Sequence, residues 1–234
     1  MKLFFQLSIA GLLLASCSKE APKNMFVSGE ISGLKKGKLY LQKMKDTVLV
    51  SVDSIALLGD SKFELSDRVE SPVLYYLTFD GNTTDKRILF FGEEGNITIN
   101  DKVEQFGLNP KITGSKNQEK LEKFQAVNQN FNGERLDLIK EELEANQKED
   151  KKALETVQKK YQRLQRRRVL YVTNYALSNS DSEVAPYLGL TEMYNANVRL
   201  LDTVYNSLSE RVKSSDYGKR FKEYISEIKV SEKK

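Results

Sequence analysis

The hydrophobic and polar positions of this chain divide it into two parts with different periods. From about residue 25 to residue 113, apolar residues alternate with polar ones, which is the period of a strand with one buried face. The alternating runs are short and are separated by turns that contain glycine or aspartate. They predict seven strands, at 25–31, 38–44, 47–57, 62–65, 73–79, 87–91 and 96–100. Short strands at this spacing are typical of an antiparallel β-sandwich or a partial barrel.

The period changes to that of an α-helix at Gly114 and Ser115. Apolar residues then form one stripe before the polar corner at 147–150 and a second stripe after it. The stripes are Leu121, Phe124, Val127, Phe131, Leu136, Ile139 and Leu143, and then Leu154, Val157, Tyr161, Leu164, Arg168, Tyr171 and Tyr175. They predict an antiparallel helical hairpin that buries its apolar seam between its arms. A coiled coil with another chain is the alternative, and Asn132-Gly133 is expected to kink or interrupt the first arm.

Three shorter helices are predicted after the hairpin. A start signal at 180–183, followed by Pro186, begins a helix that runs through Met193. Further helical stripes cover 198–212 and 217–228. The predicted fold class is therefore α+β: an N-terminal antiparallel β-sandwich or partial barrel over 25–114, followed by a helical hairpin and a small helical bundle over 115–234.

The first residues of the chain carry a targeting signal. Lys2 precedes an apolar run that ends in Leu14-Ala15-Ser16-Cys17. This segment resembles the signal peptide of bacterial lipoproteins, with Leu14, Ala15 and Ser16 as the signal-peptidase recognition residues. A short transmembrane anchor is one alternative, although the run is shorter than the about 20 residues that cross a bilayer. An ordinary cleaved signal followed by a chance cysteine is the other.

The resemblance implies a lipid-anchored protein of the bacterial cell envelope. Residues 1–16 would be removed, Cys17 would carry the acyl chains, and 17–24 would form a polar tether between the lipid and the folded part. Several acyl chains hold a protein stably on a membrane. Ser18 after the cysteine favours the outer membrane, and the choice between its periplasmic and surface leaflets stays open.

Composition narrows the chemistry that the mature chain can perform. Cys17 is the single cysteine, and the sequence contains no histidine and no tryptophan. Once Cys17 is acylated, no free thiol is left for dithiol redox chemistry. Without histidine, the chain lacks the commonest general base and the commonest transition-metal ligand. The 37 basic and 33 acidic residues form a mixed surface rather than a nucleic-acid footprint. We therefore expect no catalytic residues, no cofactor, no metal and no nucleic-acid partner.

Three short triplets resemble the Asp-Ser/Thr-apolar acceptor motif of O-glycosylation in the Bacteroidetes periplasm. The acceptor residues would be Thr47, Ser54 and Thr203. Such triplets are also common in strands and at helix starts, which leaves both interpretations open.

Several segments resemble an uncharacterised β-domain of Bacteroidetes lipoproteins and the helical region after it. They are 27–34, 37–41, 53–57, 92–99, 112–117, 179–187 and 217–224. In that family, a thioredoxin-like domain with a Cys-x-x-Cys motif follows and makes the protein a thiol–disulfide oxidoreductase. This sequence has no such motif. The resemblance therefore implies an accessory portion without the redox activity.

The predicted function is that of a non-catalytic binding or accessory module, with an envelope protein as its partner. Two alternatives stay open. The protein could support a separate thioredoxin-like oxidoreductase as a subunit in trans. It could instead carry a small ligand or glycan in the periplasm, which would require an apolar pocket between the sheets.

Overall fold

The computed structural model describes residues 22–80 and 87–231. Within these ranges the chain forms eight strands before its first long helix. They are β1 (Met25–Ser32), β2 (Lys36–Lys45), β3 (Val48–Leu58), β4 (Lys62–Asp67), β5 (Val73–Phe79), β6 (Arg87–Gly92), β7 (Gly95–Lys102) and β8 (Lys111–Thr113). The seven predicted strands are all present, and the short β8 was not predicted.

The strands form two four-stranded sheets, in the orders β4-β1-β7-β8 and β3-β2-β5-β6. The second sheet is antiparallel throughout. In the first sheet, β1 pairs antiparallel with β4 but parallel with β7. The two sheets are therefore rich in antiparallel pairs, as predicted, and contain one parallel pair between β1 and β7. Between β1 and β7, the chain builds the second sheet and adds β4 to the edge of the first, and β7 then begins at the same end of the sandwich as β1.

The inward side chains of the two sheets form one hydrophobic core. Alternate residues of β1, such as Met25, Val27 and Ile31, are buried against residues of the facing sheet, such as Leu39 and Leu77. Burial on alternate positions follows from the two-residue period of a strand. Glycine is required in the middle of β1, because a Cβ on Gly29 would lie 1.8 Å from the carbonyl oxygen of Ile99.

The rest of the described chain is helical. The helices are α1 (Lys116–Gln147), α2 (Lys151–Ser178), α3 (Val184–Glu192), α4 (Val198–Ser207), α5 (Glu210–Ser214) and α6 (Asp216–Ser231). Ser115 caps α1 by accepting from the Gln118 amide at 3.1 Å, and Asp150 caps α2 by accepting from the Ala153 amide at 3.0 Å. The fold is therefore α+β, as predicted. None of the helices in the described ranges has the length and hydropathy that a membrane crossing requires.

The helices α1 and α2 form the predicted antiparallel hairpin, with a narrower seam than the sequence indicated. The seam residues of α1 are seven positions apart and face a similar series on α2; they are Phe124, Phe131, Leu138 and Ala145, and Val157, Leu164 and Tyr171. Val127, Leu136 and Leu143 are exposed, so their predicted burial is wrong. Leu136 and Leu143 each lie two positions before a seam residue, which places them about 200° around the helix from it.

The helices differ from the prediction at two places: one predicted break is absent, and one break was not predicted. The arm α1 passes through Asn132-Gly133 without interruption. Glycine weakens a helix but keeps its backbone hydrogen bond, and Glu134 is paired with Arg167 of the opposite arm at 2.5 Å. The single helix predicted over 198–212 is divided into α4 and α5. Leu208 is extended at the break, and the Ser209 side chain caps α5.

Candidate functional site

The helices dock on the outer face of β5 and β6 through an aromatic contact. Phe91 points away from the sandwich core and is fully buried among the helices. Its ring makes edge-to-face contacts with Tyr187 at 5.4 Å and with Tyr217 at 6.0 Å between centroids. The Leu74 amide donates to the Tyr217 hydroxyl at 3.2 Å. Burial raises the pKa of Tyr217, which keeps this hydroxyl neutral.

A network of polar side chains lies beside this aromatic contact and also joins the β-sandwich to the helices. The Glu93 carboxylate, in the turn between β6 and β7, accepts from the Lys116 amide and from the Asn117 side chain at the start of α1. The Asn117 carbonyl oxygen accepts in turn from the Ser182 hydroxyl at 2.6 Å, just before α3. One asparagine therefore connects the β part to two helices.

Glu183 completes the network from the helical side. Its residue is only 1% exposed, and its carboxylate is paired with the Arg211 guanidinium of α5. It also accepts from the Asn117 amide at 3.4 Å. A buried carboxylate is tolerated when it is paired and hydrogen-bonded in this way.

A polar cleft opens over this network, and we call it the junction cleft. Its volume is about 590 Å³, and residues of the loop before β5, the β6–β7 turn, the start of α1, the turn before α3 and α5 line it. The charged lining residues are Glu70, Glu93, Glu94, Asp181 and Glu183, together with Lys116, Lys120 and Arg211. Because both signs of charge face one cleft, the arrangement suits a polar ligand or a peptide segment that carries both signs.

One carboxylate of the junction cleft, that of Asp181, has a lowered pKa. The Ser209 hydroxyl, which donates to Asp181 at 2.7 Å, and the nearby Arg211 guanidinium hold the pKa of Asp181 below its usual range. Glu93 and Glu183 hold the start of α1 and the side chain of Arg211. A general acid at neutral pH needs a carboxyl group with a raised pKa, so Asp181 does not suit that role. The contacts of Glu93 and Glu183 join the β part to the helices at this cleft.

The residues singled out in the sequence lie elsewhere. Leu14, Ala15, Ser16 and Cys17 lie outside the described residues. The three predicted glycosylation acceptors are exposed and far apart in the fold: Thr47 is in the turn between β2 and β3, Ser54 is in β3, and Thr203 is in α4. The Thr203 hydroxyl donates to the Arg199 carbonyl oxygen at 2.7 Å. Their modification stays a prediction.

The cleft residues were not predicted as a group. Glu93, Asn117, Glu183 and Arg211 are far apart in the sequence, and no local motif connects them. A signal was nevertheless present, because Glu93, Asn117 and Glu183 each lie inside a segment that carries the family resemblance. Within the described ranges, no group of three or more Asp, Glu, His or Cys side chains is placed to hold a metal ion.

Comparison with known families adds one finding to this geometry. The fold defines the class of the chain as a β-sandwich with an attached helical module. Within it, residues 25–121 match a family model described as a domain of unknown function, DUF4369. The matched segment spans both sheets and the start of α1, and so includes Glu93 and Asn117. No curated protein and no solved structure matches the chain.

Proposed function

We propose that this protein is a lipid-anchored, non-catalytic binding module of the bacterial cell envelope, and that the junction cleft is its recognition site. The mixed-charge lining of the cleft is the observation that carries the second part of this proposal. The segment that ends at Leu14 to Cys17, which resembles the signal peptide of bacterial lipoproteins, supports the first part.

The chemistry of the cleft favours a protein partner over a small apolar ligand. The Lys116 and Lys120 side chains have no ion-pair partner among the described residues, and neither have Glu70 and Glu94. A partner segment with complementary charges would therefore find unpaired groups of both signs. Charge complementarity of this kind sets specificity and association rate.

The space between the two sheets supports this choice. Among the described residues, it is filled by buried side chains of both sheets, such as Val27 and Ile97 of the first and Tyr75 and Phe90 of the second. The alternative of a ligand carrier with an apolar pocket between the sheets therefore has no structural observation in its favour.

The proposal is tested by cross-linking in the native envelope. A photo-reactive residue is placed at Ser214, an exposed residue of the cleft, and in a separate protein at Leu108, which is exposed outside it. We expect a discrete cross-linked product from position 214 alone. Adding Lys120→Glu should lower its yield by about tenfold, because one rim charge is reversed.

Lys62→Glu is the matched control for the charge reversal, because Lys62 is exposed in β4 and does not line the cleft. It should leave the yield unchanged. Equal products from positions 214 and 108, or equal effects of the two reversals, would remove the cleft from the proposal. Catalytic turnover by the purified protein would contradict its non-catalytic part.

A second candidate is a subunit that supports a thioredoxin-like oxidoreductase in trans. The segments that resemble the β-domain of thiol–disulfide oxidoreductases support it, and the match of residues 25–121 to a domain of unknown function is consistent with that resemblance. In this case the cross-linked partner should carry a Cys-x-x-Cys motif and should be trapped by thiol-reactive probes. A cross-linked partner without such a motif would exclude this candidate and leave the first one standing.

A further inference from the structure

The residues just before β1 are fixed at one end of the β-sandwich. The Asn24 amide donates to the Asp67 carbonyl oxygen at 3.2 Å, and the Asn24 carbonyl oxygen accepts from the Gly95 amide at 2.9 Å. The Asn24 side chain exchanges two further hydrogen bonds with the backbone of Val69, at 2.8 and 3.0 Å. We call this end, where β1 and β7 begin and β4 ends, the tether end.

The hairpin of β2 and β3 projects beyond the tether end. The Lys43 ammonium contacts Asp67 at 2.5 Å, which places Lys43 level with the start of β1. The last two pairs of the hairpin, Met44 with Leu49 and Lys45 with Val48, continue past it. Two strand residues add about 7 Å, so the tip of the hairpin overhangs the sandwich.

The tip carries apolar side chains without cover. Val48 is 61% exposed and Met44 is 40% exposed, while Leu49 and Val50 are half-buried. The Lys45 ammonium beside them makes no ion pair with any described residue. An apolar tip next to a long cationic side chain fits the boundary between lipid head groups and acyl chains, because a lysine can reach the water from there.

Exposed apolar residues also occur at the opposite end of the sandwich, where Leu58 is 81% exposed. Exposure alone therefore selects neither end, but the length of the tether does. Cys17 lies six positions before Lys23, so the Cα atoms of these two residues are at most about 22 Å apart when the chain between them is fully extended. Val50 pairs with Lys43 and so lies level with the tether end. Leu58 lies eight positions farther along β3, about 26 Å from that end. The tether thus favours the β2–β3 tip and disfavours Leu58.

We propose that the tip of the β2–β3 hairpin rests on the phospholipid bilayer that holds the anchor, with Met44 and Val48 at the boundary between head groups and acyl chains. This inference rests on the anchoring at Cys17 that is part of the proposed function. Because the anchor already keeps the tip near the bilayer, a small apolar contact is sufficient. A glycan on Thr47 would hold the tip away, so this contact and that predicted modification exclude each other.

The contact would also place the junction cleft close to the membrane. Val69, which is hydrogen-bonded to Asn24, lines the cleft, as do Glu93 and Glu94 just before β7. A partner bound in the cleft would then be held near the bilayer surface.

The test uses the absence of tryptophan and the single cysteine of the chain. Val48→Trp and, as the matched control, Leu58→Trp are made in the chain that begins at Cys17. Each protein is coupled through the Cys17 thiol to maleimide lipids in phosphatidylcholine vesicles that contain brominated acyl chains. Bromine quenches tryptophan only at close approach, so the loss of emission reports contact with the bilayer.

We expect the emission of Val48→Trp to fall by about half on coupling and to shift to shorter wavelength, as for a side chain that enters the interface. The emission of Leu58→Trp should stay unchanged. Met44→Trp serves as a second probe of the tip, and thermal unfolding confirms that each variant is folded. Unchanged emission from both tip variants, or equal quenching of the tip and of Leu58→Trp, would overturn the proposal. Neither result would bear on acylation in the cell, because the coupling is chemical.

Discussion

A buried tyrosine at the tether end allows the sharpest test of how the β-sandwich is held together. Tyr75 of β5 is fully buried, and its hydroxyl donates to the Asp67 carboxylate at 2.6 Å. The Lys43 ammonium donates to the same carboxylate at 2.5 Å and to the Tyr75 hydroxyl at 3.2 Å. These three side chains connect β2, β4 and β5, which belong to different sheets. The contact therefore closes the sandwich at this end.

Tyr75→Phe removes the hydroxyl and changes nothing else in shape. A hydrogen bond to a charged group contributes about 1.5–3 kcal/mol, so we expect the free energy of unfolding to fall by about 2 kcal/mol. The Asp67 carboxylate keeps Lys43 as a partner, which holds the loss near this value. The corresponding decrease in melting temperature is about 4–8 °C for a chain of this size.

The assay is equilibrium unfolding in urea, followed by circular dichroism, with Tyr76→Phe as the matched control. Tyr76 is the next residue of the same strand, is half-buried on the outer face and packs its ring under Arg87, at 5.4 Å from the ring centroid. Its substitution should cost less than about 0.5 kcal/mol, since phenylalanine keeps the ring. Equal losses from the two substitutions would refute the role given to the Tyr75 hydroxyl.

Three further predictions concern the helices, the junction and alkaline pH. Gly133→Ala should raise the free energy of unfolding by about 1 kcal/mol, because no atom lies near the added Cβ and alanine favours the helix; calorimetry that shows a loss would contradict an unbroken α1. Glu183→Gln should lower the free energy of unfolding in urea by about 1–2 kcal/mol, because the ion pair with Arg211 is lost. The loss stays this small because the half-exposed Arg211 can turn to water. An unchanged value would contradict the network. Burial raises the pKa of Tyr75 and Tyr217, so the contribution of these two tyrosines to stability should be constant below the usual tyrosine pKa of 10.0 and fall above it as the unfolded chain ionises. Tyrosinate absorbance that shows normal titration of every tyrosine in the folded protein would disprove this.

Local patterns of the sequence predicted most of the elements of the fold. Alternation located seven strands, and the change of period at Ser115 located the start of α1, because each reflects burial of one face. The parallel pairing of β1 with β7 could not be predicted, since it depends on the path through the second sheet. Leu136 and Leu143 show a related limit: helical spacing identifies apolar positions, and the partner helix decides which of them are buried.

The junction cleft could not be predicted from local patterns, for the same reason. Glu183 was interpreted as part of a helix start, which is correct, but its burial follows from Arg211 and Asn117, which come from other elements. Glu93 lies in the turn between β6 and β7, and only the approach of α1 makes its carboxylate an acceptor for the Lys116 amide. Charged residues acquire such roles only when the tertiary structure brings their partners to them.

Anchoring at Cys17 is tested most directly by the intact mass of the protein extracted from the membranes of its native host. We predict a polypeptide that begins at Cys17 and carries the added mass of its acyl chains. Cys17→Ser should abolish both the processing and the added mass. A mature chain that begins at any other residue, or one that carries no lipid, would contradict anchoring at Cys17.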